Sequence, residues 1–130
     1  MKITGQIEMA IKTTYNNIKS YMTKDGSEIR ELMHPDVHGN IRQSLAEAIV
    51  KVGGETILHR HLQSEEIYHI TAGHGVMTLG NEQFEVKIGD TICIPPGTSH
   101  KIRNTGEIPL SILCCSCPAY SHDDTELLSQ

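Results

Sequence analysis

Two stretches decide how this chain folds: Gly53-GETIL-His59-Arg60-His61-LQSE-Glu66-IYHITA-Gly73, and, further on, Gly89-DTICI-Pro95-Pro96-Gly97-TS-His100-KIR-Asn104. Successive side chains of a β-strand point to opposite faces. His59 and His61 are two apart, so both belong to one face and Arg60 to the other. If the next strand starts at Glu65, then Glu66, Tyr68 and Ile70 share a face, and Ile67 and His69 share its opposite. Pro95-Pro96-Gly97 is a rigid bend that delivers His100 to the start of a later strand. A closed sheet with these faces inward brings His59, His61, Glu66 and His100 together.

Working outward, short runs with period-2 alternation continue on both sides. They are Glu28–Met33, Gln43–Val52, Thr56–His61, Ile67–Thr71, Gly75–Leu79, Gln83–Ile88, Thr91–Ile94 and Leu110–Cys115. Turn signals separate them: Lys24-Asp25-Gly26, His38-Gly39-Asn40, Gly53-Gly54, Gly80-Asn81 and Gly89-Asp90. Gly80-Asn81 predicts a tight hairpin, and Gly73 and Gly89 suit turns with positive φ. Many short, evenly spaced strands predict an all-β sandwich or barrel. Helix is expected only over Met9–Tyr21, where the 3.6-residue spacing is weak, and in a turn after Ser121. There Ser121 is placed to cap Asp123-Asp124-Thr125-Glu126.

The 130 residues fit one domain able to bury its own core. A net charge of −5 and a pI near 5.9, with no lysine/arginine run, disfavour nucleic acid and anionic membrane surfaces as partners. Met1–Lys12 lacks the apolar core of a signal peptide, and no stretch approaches the roughly 20 apolar residues of a membrane span. A cytoplasmic protein is expected. Its four cysteines, Cys93, Cys114, Cys115 and Cys117, are then expected as free thiols.

Imidazole and carboxylate are the ligands that borderline and hard divalent cations prefer. Four protein ligands on a six-coordinate ion leave two positions open, an arrangement of catalytic rather than structural character.

The two quoted runs resemble the two signature motifs of the cupin superfamily, with each fixed position filled. The 15 residues between Gly73 and Gly89 are similar to the short spacing of small bacterial members. More loosely, Asp25-Gly-Ser-Glu-Ile-Arg-Glu-Leu and Cys117-Pro-Ala-Tyr-Ser-His-Asp-Asp-Thr resemble flanking segments of such proteins. The resemblance implies a single jelly-roll β-barrel, commonly a homodimer, with one divalent transition metal (Fe, Mn, Ni, Co, Cu or Zn) held by His59, His61, Glu66 and His100. Glu65 is also within the family spacing; Glu66 is preferred because it leaves six residues before Gly73 and shares a face with Tyr68. The expected organisation is an N-terminal extension (1–24), the barrel (25–120) and a C-terminal tail (121–130).

Tyr68 is the candidate catalytic residue, as general acid, base or hydrogen-bond donor; the alternative is an aromatic that fills the barrel. Gln43, Arg30, Cys93 and Met77 are further candidates to line the cavity, although Cys93, between Ile92 and Ile94, reads as core. His34, His38 and His74 are expected at solvated turns. Tyr120, His122 and Asp123 would approach the site if the tail folds over the barrel mouth. Cys114, Cys115 and Cys117 read as strand packing before metal or redox work. The expected function is a metal-dependent enzyme acting on a small oxygen-rich molecule (a carboxylate, diketone or sugar derivative). The alternative is a non-catalytic module that binds metal and a small ligand.

Overall fold

The computed structural model describes residues 10–128. Its strands are β1 (Tyr21–Met22), β2 (Glu28–Met33), β3 (Ser44–Val50), β4 (His59–His61), β5 (Glu65–Ala72), β6 (His74–Leu79), β7 (Glu82–Lys87), β8 (Thr91–Ile94), β9 (His100–Asn104), β10 (Leu110–Cys117) and β11 (Thr125–Leu127). One helical turn, α1 (Pro35–His38), and 3-10 turns at Tyr15–Asn17 and His122–Asp124 complete the described elements. The strands form two antiparallel sheets, ordered β1-β2-β3-β10-β5-β8 and β11-β4-β9-β6-β7. Together they make an all-β barrel, as the alternating runs predict, with the jelly-roll form that the resemblance implies. No helix among the described residues is long and apolar enough to cross a membrane.

Register explains where the barrel is dry and where it is not. β10 lies between β3 and β5, with Ile112 opposite Ala48 and Ile70, Cys114 opposite Ala46 and Tyr68, and Ser116 opposite Ser44 and Glu66. These residues all face inward. Going along β10, the inward face passes from Leu110 and Ile112 to Cys114 and Ser116, and the neighbouring strands follow. Ile70, Met77, Ile94, Ile102, Leu110 and Ile112 are almost fully buried and form the dry core. At the other end small and polar residues leave a cavity between the sheets.

The Gly80-Asn81 hairpin joins β6 to β7 with Leu79 opposite Glu82, and Gly80 has φ +57°. Three expectations are corrected. The Met9–Tyr21 helix is absent from Ala10 onward (Met9 lies outside the described residues). Ile11, Thr13, Thr14 and two asparagines are poor helix formers, and the segment is tied to β2 instead: Thr13 Oγ1 donates to Leu32 O, and Arg30 Nε to Ile18 O. The strand expected from Thr56 begins only at His59. After Ser121, whose hydroxyl does accept from Asp123 N–H, the turn ends at Asp124; Thr125 and Glu126 enter β11 and pair with His61 and Arg60.

Candidate metal centre

β4 is only three residues long, and both its outer residues turn inward: His59 and His61 are buried and Arg60 points out to Glu126. β9 runs antiparallel beside it with His100 opposite His59. The bend before β9 is tied to β4, since Gly97, at φ +76°, donates its N–H to His61 O at 2.7 Å. A side chain with Cβ resists that φ. β5 supplies Glu66 from the facing sheet. Glu66 is 4% exposed and His100 1%, while Glu65 is exposed, as the parity argument requires.

One ligand atom from each of His59, His61 and His100 lies within 4.8 Å of the others. Glu66 Oε1 is 2.8 Å from His61 Nε2 and 3.3 Å from His100 Nε2. The other nitrogen of each ring fixes its tautomer. His59 Nδ1 faces Ile57 O at 2.7 Å and His100 Nδ1 faces Thr98 O at 3.0 Å; a carbonyl only accepts, so both Nδ1 atoms carry the proton. His61 Nδ1 faces Thr125 Oγ1 at 3.1 Å, and that hydroxyl is already committed as donor to Ser121 O, so it accepts from His61. All three Nε2 atoms therefore carry lone pairs; those of His61 and His100 face Glu66 Oε1, and that of His59 faces Asp25 Oδ2. Three imidazoles cluster with no proton on the facing nitrogens, and Glu66 Oε1 and His100 Nε2 are buried without a hydrogen-bond partner. Such a donor set fits a divalent cation. Without one, a second proton on His61 has to fill the role: burial lowers the His61 pKa, but Glu66 outweighs burial and raises it. Burial likewise raises Glu66, yet His100 and His61 together hold its carboxyl well below the usual range. Burial, followed by the neighbouring His100, lowers His59.

Around this centre the cavity has a volume of about 50 Å³, room for roughly four water molecules. Tyr68 lines it with its ring centroid 5.9 Å from that of His100. Burial, and then Glu66, push the Tyr68 phenol well above its ordinary range, which suits a donor rather than a base. Tyr120 lies against His61, centroid to centroid 5.8 Å. The conditional reading of the tail thus holds for Tyr120, whereas His122 and Asp123 line only an outer recess.

Gln43, Arg30, Cys93 and Met77 do not line the cavity. Met77 is in the dry core, Gln43 meets Cys115 outside the barrel, and Arg30 turns outward to Tyr15 and Glu47. Cys93 is exposed, because Ile94, opposite Glu66, takes the inward parity of β8. His34 is buried rather than solvated: its Nδ1 accepts from Asp36 N–H at the start of α1, and its Nε2 donates to Tyr120 O. His69 faces away, to Thr91. Sequence reasoning missed Asp25, whose Oδ2 is 3.6 Å from His59 Nε2, and Thr125, Ser116 and Glu31. Asp25 and Glu31 stand in the first of the flanking segments and Thr125 ends the second, while Ser116 lies in neither.

A jelly-roll barrel with three inward histidines and a carboxylate facing them defines a class of protein, and the chain belongs to it: residues 46–116 match the family model described as Cupin domain. Within that family it is 65% identical over 118 residues to an uncharacterized protein of Methanocaldococcus jannaschii, covering 91% of this chain and 94% of that one. It is 29% identical to the oxalate-binding protein of Thermotoga maritima, over 85% of this chain and 92% of the relative. In fold it is similar to the polyketide cyclase RemF from Streptomyces resistomycificus, with a TM-score of 0.78 at 20% identity, covering 94% and 87% of the two chains.

Proposed function

We propose that the chain is a small metal-dependent cupin enzyme acting on a small oxygen-rich molecule, with one divalent transition metal held by His59, His61, Glu66 and His100. The observation that carries this reading is the cluster of His59, His61 and His100, with the carboxylate of Glu66 beside His61 and His100 and its Oε1 buried without a hydrogen-bond partner. When bound, such an ion supplies a Lewis acid that polarises a chelating substrate oxygen. The protein's own groups do the rest. Ile57 O, Thr98 O and Thr125 Oγ1 hold the three imidazoles in their ligand tautomer. Ser116 Oγ donates to Glu66 Oε2 at 3.2 Å and leaves Oε1 pointing inward. Tyr68 keeps a proton on its phenol oxygen and offers it to a substrate oxygen. Ile29, Ala48, Val50 and Ile112 close the inner wall and limit the water that reaches the centre.

The test starts from elemental analysis of protein purified without chelator or metal-affinity tag. About one equivalent of metal is expected, lost in His59→Ala and in His100→Ala. Unchanged metal in both variants sinks the assignment. In Tyr68→Phe the metal stays and any activity found in a panel of sugars, diketones and carboxylates falls. The name of the Thermotoga relative speaks for a second reading, a non-catalytic ligand-binding module. Tight metal and ligand binding with no turnover across the panel decides for it.

The same proposal includes a cytoplasmic homodimer. Leu45, Cys115, Ile67 and Cys93 stand side by side across β3, β10, β5 and β8. They give an outward stripe in which Leu45 is 37% and Ile67 44% exposed. Sedimentation equilibrium tests it; a monomer at all concentrations removes the dimer from the reading.

A further inference from the structure

The charges inside the barrel narrow the substrate class. Among the described residues that line the cavity there are three carboxylates, Asp25, Glu31 and Glu66, and no lysine or arginine. Tyr21, Glu31 and Tyr120 also line the outer recess of about 420 Å³, which adds Asp36 and Asp123 and again no lysine or arginine. The cations nearby in sequence are engaged elsewhere. Arg30 stacks on Tyr15 and pairs with Glu47, Lys24 Nζ donates to the carbonyls of His122 and Thr125, and Arg60 pairs with Glu126. His34 is committed at both ring nitrogens. The remaining imidazole of the recess, His122, is turned to the Tyr120 hydroxyl.

Two carboxylate oxygens are placed to receive protons. Asp25 Oδ1 takes the donors of its own turn, Thr23 Oγ1 and the N–H and hydroxyl of Ser27, which leaves Oδ2 beside His59. Glu31 Oε2 accepts from the Tyr21 hydroxyl at 3.0 Å, and Glu31 Oε1 is buried with no partner. A buried acceptor left unpaired is costly, and a hydroxyl of the ligand relieves it. A carboxylate of the ligand does the opposite, since in a low-dielectric cavity like charges repel strongly.

Resting on the metal reading above, we propose that this cavity selects an uncharged, hydroxyl-rich molecule of the sugar class over a carboxylate, with Asp25 Oδ2 and Glu31 Oε1 accepting hydrogen bonds from its hydroxyl groups. The inner cavity holds a head of a few heavy atoms, and the recess holds the rest.

The test uses full-length protein loaded with Co(II), titrated with ribose and with oxalate and followed by the visible spectrum of the ion and by calorimetry. Ribose is expected to bind the wild type more tightly than oxalate. Glu31→Gln, nearly isosteric, removes one repelling charge and is expected to shift the ribose-to-oxalate affinity ratio toward oxalate by about tenfold or more. Asp25→Asn, which keeps the Oδ1 acceptor of the turn, is expected to do the same. Tighter binding of oxalate by the wild type, or a ratio unmoved in both variants, overturns the proposal while the metal reading stands. Failure to take up Co(II) at all overturns the metal reading first and this proposal with it.

Discussion

Thr125 shows how much of a metal site depends on a residue that never touches the metal. Its hydroxyl donates to Ser121 O and so has only a lone pair to offer His61 Nδ1. That fixes the proton on Nδ1 and the lone pair on Nε2. Removing such an outer partner typically lowers metal affinity 10- to 100-fold. Thr125→Val, which keeps the shape and loses the hydroxyl, is therefore expected to weaken metal binding by about tenfold or more; Thr125→Ser retains it. Competition against a chelator of known affinity measures both, and equal affinities in wild type and valine variant refute the role. At this scale the sequence was legible where the spacing is local. His59, His61, Glu66, Tyr68 and His100 stand where strand parity places them. Thr125, Asp25 and Glu31 were not legible as site residues, because they come from β11, the turn before β2, and β2. Their approach depends on how the sheets close, and no spacing encodes that.

The cavity exists because of what the strands omit. On β3 the inward positions are Ser44, Ala46, Ala48 and Val50, and on β10 they are Ser116, Cys114, Ile112 and Leu110. Large residues fill one end and small ones leave room at the other, within the same two strands. Ala46 lies opposite Cys114 on the cavity wall and is not a metal-ligand candidate. Ala46→Leu is expected to fill space now open to a ligand. Metal content should stay at the wild-type level while binding of any small ligand drops at least tenfold. Stability should change little, because added apolar surface offsets the local strain of tight packing. Metal analysis and ligand titration of one preparation check this, and parallel loss of metal and ligand argues against it. The strand bounds show the same division between local and global information. β2 and β8 fall at the bounds read from the sequence, because turn residues punctuate them at Lys24-Asp25-Gly26, Gly89-Asp90 and Pro95-Pro96-Gly97. Cys93 was misplaced because Ile92, Cys93 and Ile94 are all apolar, so periodicity gives no parity; pairing of Ile94 with Glu66 supplies it. The cap at Ser121 predicts a turn in the tail, and pairing with β4 carries the chain on from that turn into a strand.

For the whole molecule, the centre links folding to metal and to pH. Its sheets meet there: β4 and β9 bring the histidines, β5 on the opposite sheet brings Glu66, and the tail strand β11 pairs with β4. An ion that binds the folded chain and not the unfolded one stabilises by RT ln(1 + [metal]/Kd). Bound metal requires the imidazoles neutral, so binding releases protons and affinity falls as pH falls through the histidine range, around 6.5. The individual shifts modify this in known directions. Burial lowers His59, which delays its protonation on acidification. Burial works the same way on His61, but Glu66 overrides it and raises the pKa, so His61 takes up its proton before His59 as pH drops. Glu66, held well below the usual carboxylate range despite burial, stays ionised throughout. The melting temperature of metal-loaded protein should therefore exceed that of chelator-treated protein by a margin that is large at pH 8 and shrinks steadily toward pH 5 (both chosen about that range). In His61→Ala the margin should be small at every pH. Thermal scans of the two forms at matched free metal measure the difference, and a margin that is flat with pH rules out ligation by these imidazoles.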